Sequence, residues 1–516
     1  MNLPAFDRRQ LFRLSALATA AVLSDAALTA CSSSGGAAST TSGAATSTLK
    51  WATGAGPSSW DPVVDGSGFS FNYTALAYAS LTTTDQKGNA APGLAESWSY
   101  NSDGTQVTFH LRDGLKFTDG SAVDSAAVKA YIQRAQTQQN SALVGEGISV
   151  ITSIDTPNSQ DVVLKLSQPD YQLPLVLAER VGQITNPRKT ADQLNTSPDG
   201  AGPFKAVQVV TGSHAVFEKN PDYWDAKNIH IDRVELSFNV DATTIVSGLQ
   251  TGVYNFADQL ATSQVKAAKA AGLDIVQHPG FNANNLSVNR AIAPFDDPKV
   301  VEAVKYAVNR DQIVTQVDFG YGAAATQPFP KGYIAYDPDL ADPYPYNVAK
   351  AKQLLADAGY PNGFSVPFVV SSDDPENELL QAQLKAVGID ADLKVDTNWS
   401  TSFFAKKLAL STYGTTGRDS PIQTLQAHFG AQGALNSSGV DGGAAYEAAV
   451  NKALATPLDS ADYQKNIQAA TAAGLETTGL VFTDTVPNLF AKSKTVSGLP
   501  KIPAKITWTG VTIAGR

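Results

Sequence analysis

One cysteine, Cys31, stands in a chain of 516 residues. A lone thiol forms no intrachain disulfide, and it excludes a C-x-x-C redox pair and a cysteine-built zinc site. Histidine is almost as scarce: the 5 residues lie at 110, 214, 230, 278 and 428, no two at i, i+4, and no H-E-x-x-H occurs. There is no basic run of five residues, and 38 Lys+Arg face 48 Asp+Glu for a net charge of −10. That balance argues against nucleic-acid binding and offers no polybasic membrane patch. No G-x-x-x-x-G-K loop is present, so any ATP hydrolysis belongs to a partner; no G-x-S-x-G elbow suggests a hydrolase. After the first thirty residues no stretch reaches the ~18 apolar residues of a membrane span.

What is present is enough for large cores. Apolar residues make up 43%, with 6 Trp, 17 Tyr and 21 Phe, which excludes wholesale disorder. At ~150 residues per unit the length fits roughly three structural units. The chain opens with Arg8, Arg9 and Arg13, followed by an Ala/Leu-rich stretch from Leu14 to Leu28. Charged-then-apolar is the pattern of an export signal, here 1–30. Leu28-Thr29-Ala30-Cys31 resembles a bacterial lipobox, which would make Cys31 the lipidated first residue of the mature protein. Asp7 to Arg13 resembles a twin-arginine signal, with Sec export as the alternative. Ser32 to Thr48 is all Gly, Ala, Ser and Thr, so 31–48 reads as the lipidated cysteine and a flexible tether.

The body mixes strands and helices. Asp113-Gly114, between two alternating runs, predicts a tight hairpin. A second hairpin is expected around Thr211-Gly212-Ser213, with strands at Val162–Leu166 and Val234–Phe238. Helices are expected after Ser121 or Asp124, from Pro298, from Asn347 to Gly359, from Asn377 to Gly388, and over 443–456 and 460–474. Strands dominate before about residue 290, and helices alternate with short strands after it.

Several blocks resemble one family. Ser59-Trp60-Asp61-Pro62 is followed by GNAAPGLAESWSYNSDGTQVTFHLRDGLKFTDG at 88–120. Gly202-Pro203-Phe204 leads to Asn220-Pro221-Asp222-Tyr223-Trp224. Pro294-Phe295-Asp296-Asp297-Pro298 leads to Asn309-Arg310-Asp311, and Tyr346-Asn347 to Gly359-Tyr360. Together they are similar to the peptide/nickel-type (family 5) solute-binding proteins of ABC importers, across nearly the whole mature body. Most of these residues read as structural; Trp98 and Trp224 are expected to be packed aromatics.

The resemblance implies a two-lobed α/β fold with hinge strands and an extra β-rich subdomain in lobe I. Lobe I would comprise 49–75, 200–283 and 493–516, the extra subdomain 76–199, and lobe II 284–492. It implies a binding protein, not an enzyme, without cofactor or bound metal, working as a monomer. The expected partners are a small solute, an ABC permease with its ATPase subunits, and the membrane through the lipid on Cys31. The place would be the periplasm or the outer face of the cell membrane. The solute would be an oligopeptide or peptide-like molecule, with a glycan, opine or anionic metabolite as the alternative and a secreted hydrolase as a remoter one. In peptide-binding relatives a lobe II loop supplies an Asp for the ligand's amino group. Aligned on Pro421, that position is Gly417 here and the second Asp of the loop is Ser420. Asp419 is the substitute within reach, and Arg418 favours a carboxylate. Further candidates are Ser58, Phe69, Phe71 and Tyr73 after the first strand, Asn282, Asn284 and Asn285 at the first hinge, and Trp399, Phe403, Tyr413 and His428 around the loop.

Overall fold

The computed structural model describes residues 46–65, 70–137, 147–278, 280–281, 283–415, 418–502 and 505–514. The signal segment, Cys31, most of the tether, Phe69, Asn282 and Gly417 lie outside the described residues. The body is built on three main sheets. The seven-stranded sheet runs, in order, Asp274–His278, Asn488–Lys492, Phe256–Ala257, Thr48–Ala52, Arg233–Ser237, His214–Lys219 and Phe204–Val210. The five-stranded sheet runs Ile389–Val395, Phe364–Val370, Leu410–Gly414, Asn284–Val288 and Leu480–Phe482. An antiparallel four-stranded sheet orders Ala95–Tyr100, Gln106–Leu111, Asp161–Leu166 and Ile151–Asp155.

Each sheet has its own core. Trp51, Phe204, Phe217, Phe256 and Trp508 fill one face of the seven-stranded sheet. Leu286, Val304, Phe368, Leu384 and Leu410 build the core of the five-stranded sheet. Phe109, Tyr131, Ile132 and Leu164 build that of the four-stranded sheet. Trp98 and Trp224 pack on this last core, and the Arg112 guanidinium lies 4.1 Å from the centre of the Trp224 ring. These three bodies are the two lobes and the β-rich subdomain.

Local chemistry explains the helices. Asp297 accepts from Lys299 N–H and Pro298 opens Pro298–Ala307. Asn347 caps Val348–Asp357, and Gly359 beyond its end has φ +91°. The helix expected from Asn377 begins earlier, at Pro375, because Asp374 accepts from Asn377 N–H.

Three expectations are corrected. The Asp113–Gly114 turn forms, with Gly114 at φ +71°, but the chain after it does not pair back on Gln106–Leu111. Both edges of that strand are already taken, by Ala95–Tyr100 and Asp161–Leu166. Thr48, assigned to the tether, is already in a strand, in register with Arg233. Ser47 fixes that start by donating its amide to Asp232 at 2.9 Å and its hydroxyl to His230 O at 2.7 Å. Residues 488–492, grouped with the second lobe, pair with Asp274–His278 and Phe256–Ala257 in the first-lobe sheet. The Thr211-Gly212-Ser213 hairpin forms between Phe204–Val210 and His214–Lys219.

The chain passes between the two large sheets along two strands. Asp274–His278 continues into Asn284–Val288, and Leu480–Phe482 continues into Asn488–Lys492. They pair antiparallel on both sides of the gap.

Candidate functional site

The lobes meet on a buried cluster of charge. In the four-stranded subdomain the helical turn Leu173–Val176 is followed by Glu179 and the turn Arg180–Gly182. From the second lobe come Arg418 and Asp419, just ahead of the helix Pro421–Phe429, whose N-terminus Ser420 caps by accepting from Gln423 N–H. The C-terminal segment of the first lobe supplies Lys505. Asp419 donates its amide to Glu179 Oε1 and forms an ion pair with Lys505. Tyr333 Oη donates to Asp419 O at 3.2 Å. Lys505 Nζ also donates to Ala178 O at 2.9 Å and stands 5.2 Å over the Phe71 ring. Arg180 Nη1 reaches Asp65 O at 3.3 Å, and Arg418 Nη1 donates to Gln423 O at 3.1 Å.

Arg180, Arg418 and Lys505 thus face Asp65, Glu179 and Asp419, three charges of each sign. Burial is the main force on the titration of Glu179, Asp419 and Arg180. It raises the Glu179 carboxyl, with repulsion from Asp419 adding to it and Arg418, Lys505 and Arg180 opposing. It raises Asp419 as well, against the pull of Lys505. Burial and the charge of Arg418 lower Arg180. Groups so perturbed between two lobes mark a binding site better than a structural ion pair on a surface.

Beside the cluster lies a cavity of ≈ 460 Å³ between subdomain and second lobe, and Asp419 lines it. Its walls include Trp98, Tyr100, Tyr171, Leu175, Tyr333 and Tyr463. Three of the tyrosine hydroxyls are spent on protein acceptors: Tyr100 on Asp170 O at 2.9 Å, Tyr333 on Asp419 O, and Tyr463 on Gln172 Oε1 at 2.8 Å. A ligand there meets aromatic surface together with the polar side chains of Lys87, Asn89, Asp419 and Asp459.

The residues expected from the sequence fall into three groups. Arg418, Asp419 and Phe71 belong to the charged cluster. Tyr413, His428, Trp399 and Phe403 form an aromatic stack under the loop. Phe403 lies 4.9 Å from Tyr413 and 4.7 Å from Trp399 between ring centres, and Tyr413 lies 6.1 Å from His428. In this stack Tyr413 Oη donates to Leu435 O at 2.7 Å, and Trp399 Nε1 donates to Ser411 Oγ at 2.5 Å. His428 Nδ1 is 2.7 Å from Thr424 O, while Nε2 is buried without a partner; burial pushes its titration down to about 4. Asn285 donates to Tyr413 O at 3.1 Å and leaves a buried, unpartnered Oδ1.

Tyr73 is placed elsewhere. It is fully buried in the first-lobe core against Trp51, with its hydroxyl 2.7 Å from Thr53 Oγ1 and 3.1 Å from Asp258 Oδ2. Ser58 is exposed and donates to Asp65 Oδ1 at 2.8 Å, so it supports the cluster from its edge. Sequence reasoning missed Glu179, Arg180, Lys505 and Tyr333. The one local sign was two adjacent charges closing the apolar run Leu173 to Ala178.

The model of the bacterial extracellular solute-binding proteins, family 5, matches residues 89–436. The chain belongs to this family. It is 31% identical over 322 residues to a glutathione-binding protein, GsiB, of Salmonella paratyphi A, covering 61% of this chain and 62% of that relative's length. A second glutathione-binding protein, from Pectobacterium atrosepticum, is 30% identical over 346 residues, 66% of this chain and 67% of the relative. Among solved structures, the binding protein AgaA in complex with agropinic acid, from A. tumefaciens R10, superposes with a TM-score of 0.81 at 27% identity, covering 91% of this chain and 99% of that one. The peptide-bound DppA of Helicobacter pylori reaches the same TM-score at 23% identity, over 90% and 98% of the two chains; at that identity it speaks for the family 5 fold alone.

Proposed function

We propose that this family 5 protein is the receptor of an ABC importer, which captures a zwitterionic, peptide-like solute between its lobes and hands it to a membrane permease. One observation carries the reading: the six-charge cluster of Asp65, Glu179, Arg180, Arg418, Asp419 and Lys505, contributed by both lobes. When the lobes part, Asp419 and Glu179 become available to an ammonium group and Arg418 and Arg180 to a carboxylate. A ligand with both charges docks beside the Asp419–Lys505 pair, which re-forms as the lobes close over it. The aromatic cavity beside Asp419 suits an apolar side chain of the same solute. Charge of both signs favours a peptide or amino-acid conjugate over a purely anionic metabolite. The glutathione named for the curated relatives carries an ammonium and carboxylates and agrees with that chemistry. The role is binding rather than catalysis, at the outer face of the cell membrane, with the lipid on Cys31 as the anchor and the segment after it as the tether.

Native mass spectrometry of the purified protein tests this. Adducts of peptide or amino-acid-conjugate mass, lost in Asp419→Ala, are expected. If no adduct survives purification, glutathione and a set of short peptides are added and melting is followed, since a ligand at about 100 times its Kd stabilises by about 2.7 kcal/mol. Adducts that are all of non-zwitterionic mass would overturn the solute class. Turnover of the added peptides would overturn the binding-only role.

A further inference from the structure

A second buried cluster lies at the crossings themselves. Asp484 stands between the second-lobe strand Leu480–Phe482 and the first-lobe strand Asn488–Lys492. Asn284, on the other crossing, donates its Nδ2 to Asp484 Oδ2 at 2.9 Å. Glu376 reaches in from the first turn of the helix Pro375–Val387. Thr483 Oγ1 lies 2.9 Å from Glu376 Oε1 and 2.8 Å from Asp484 Oδ1. Asp318 follows the helix Arg310–Gln316, and its carboxyl acts on that of Asp484, with its own Oδ2 buried and unpartnered. Asp318 and Asp484 are buried, and two carboxyls hydrogen-bond to each other only when one carries a proton.

The segment from Asp318 onward joins this cluster to the first lobe. Tyr321 packs on the first-lobe core and accepts from Lys269 Nζ at 3.2 Å. A Cβ on Gly322 would sit 2.2 Å from Asp318 Oδ2, so the backbone closes directly over the carboxyl. Ala323–Ala324 then pairs with Asp484–Thr485. No cation is among the principal charges acting on the three acids; Asp374, which caps the Glu376 helix, adds to the repulsion. The nearby cations are engaged elsewhere: Arg310 with Phe482 O and Asp342, Lys269 with Tyr321, and Lys305 over the Tyr344 ring. Among the described residues no three acidic, histidine or cysteine side chains are arranged to hold a metal ion, so protons are what this cluster can share.

We propose that Asp318, Glu376 and Asp484 form a proton-operated latch on the hinge: shared protons hold both crossings and the segment that reaches the first lobe together, and their loss drives the carboxylates apart and opens the cleft. Burial raises all three carboxyls, Asp318 to about 7; repulsion from Asp484 adds to it at Asp318 and Glu376, while hydrogen bonds from Thr483 and Asn284 oppose it at Asp484. A raised carboxyl stabilises the closed form at low pH, and that contribution is lost as pH rises through the raised value. One shared proton changes the closed-to-open ratio by up to about tenfold per pH unit above that point. The latch needs only the two-lobed fold, so its test is independent of the solute.

The test is small-angle scattering of the solute-free protein from about pH 5.5 to about pH 8.5. The radius of gyration is expected to rise with a midpoint near neutrality. Asp318→Asn and Glu376→Gln, amides that hydrogen-bond without charge, are expected to stay compact at the alkaline end. A flat wild-type profile overturns the latch, and so do amide variants that fold and open together with the wild type. If neither amide folds, the wild-type profile decides by itself.

Discussion

Replacing Lys505 with methionine keeps the length and the apolar stem of the side chain and removes the charge facing Asp419. Both partners are buried, at 8% and 4% exposure. Stranding one member of a buried ion pair costs about 3–5 kcal/mol. An independent ceiling comes from protonation. A stranded Asp419 escapes by binding a proton, and from the ordinary value of 3.8 to pH 7 this costs about 4 kcal/mol at 1.36 kcal/mol per unit. The two figures agree. The cost falls on the closed state alone, because Lys505 belongs to the first lobe and Asp419 to the second, and opening returns Asp419 to water. Lys505→Met is therefore expected to weaken solute binding by about two to three powers of ten at pH 7 while melting of the solute-free protein changes little. At pH 5 the same escape costs only about 1.6 kcal/mol, so the loss shrinks to about tenfold. Titration calorimetry at both values, with the solute recovered from the protein, measures this. An affinity loss equal at the two values, or none at all, would refute the reasoning. A collapse in melting temperature would show that the pair supports the fold rather than closure.

Two further substitutions probe the same region. His428 titrates at about 4 in the folded protein against an ordinary 6.5, so the unfolded chain takes up its proton first and this contribution to stability is lost as pH falls from 6.5 to about 4. His428→Gln should lose less melting temperature than the wild type between neutral and mildly acid buffer in scanning calorimetry; equal losses would contradict the buried neutral imidazole. Gly182→Ala places a Cβ 1.8 Å from Leu177 O, a main-chain atom that must move. Overpacking of this kind costs about 1–3 kcal/mol. A drop in melting temperature together with weaker solute binding is expected, because the same turn carries Glu179 and Arg180; unchanged binding would detach that turn from the site.

Much of the fold was legible because its signals are local. Asp297-Pro298 and Asn347 cap helices through bonds made within three residues, and the Thr211-Gly212-Ser213 turn closes a hairpin on itself. The Asp113–Gly114 reading failed where a local rule met a non-local fact: the turn chemistry was correct, but two distant strands had already taken both edges of the partner strand. The site divides the same way. Arg418, Asp419 and His428 cluster near one helix and could be found together. Glu179 and Lys505 meet Asp419 only through tertiary folding, from positions 240 and 86 residues away, and no spacing announces such a meeting. Tyr73 misled because an aromatic after the first strand suits a cleft and a core equally; the carboxyl of Asp258 draws it into the core.

The strand Asn488–Lys492 lies between Phe256–Ala257 and Asp274–His278 in the sheet, although the chain makes it more than two hundred residues later. During synthesis the first lobe therefore waits with an open slot, while the second lobe, one uninterrupted stretch, can fold as soon as it emerges. Closing that slot joins residues far apart in sequence, which is the slow kind of step. Until the last strand arrives, two unpaired edges stand ready to accept a strand from another molecule. Misassembly of this protein should accordingly begin in the first lobe, and truncations just before Asn488 should aggregate rather than yield a smaller binding protein.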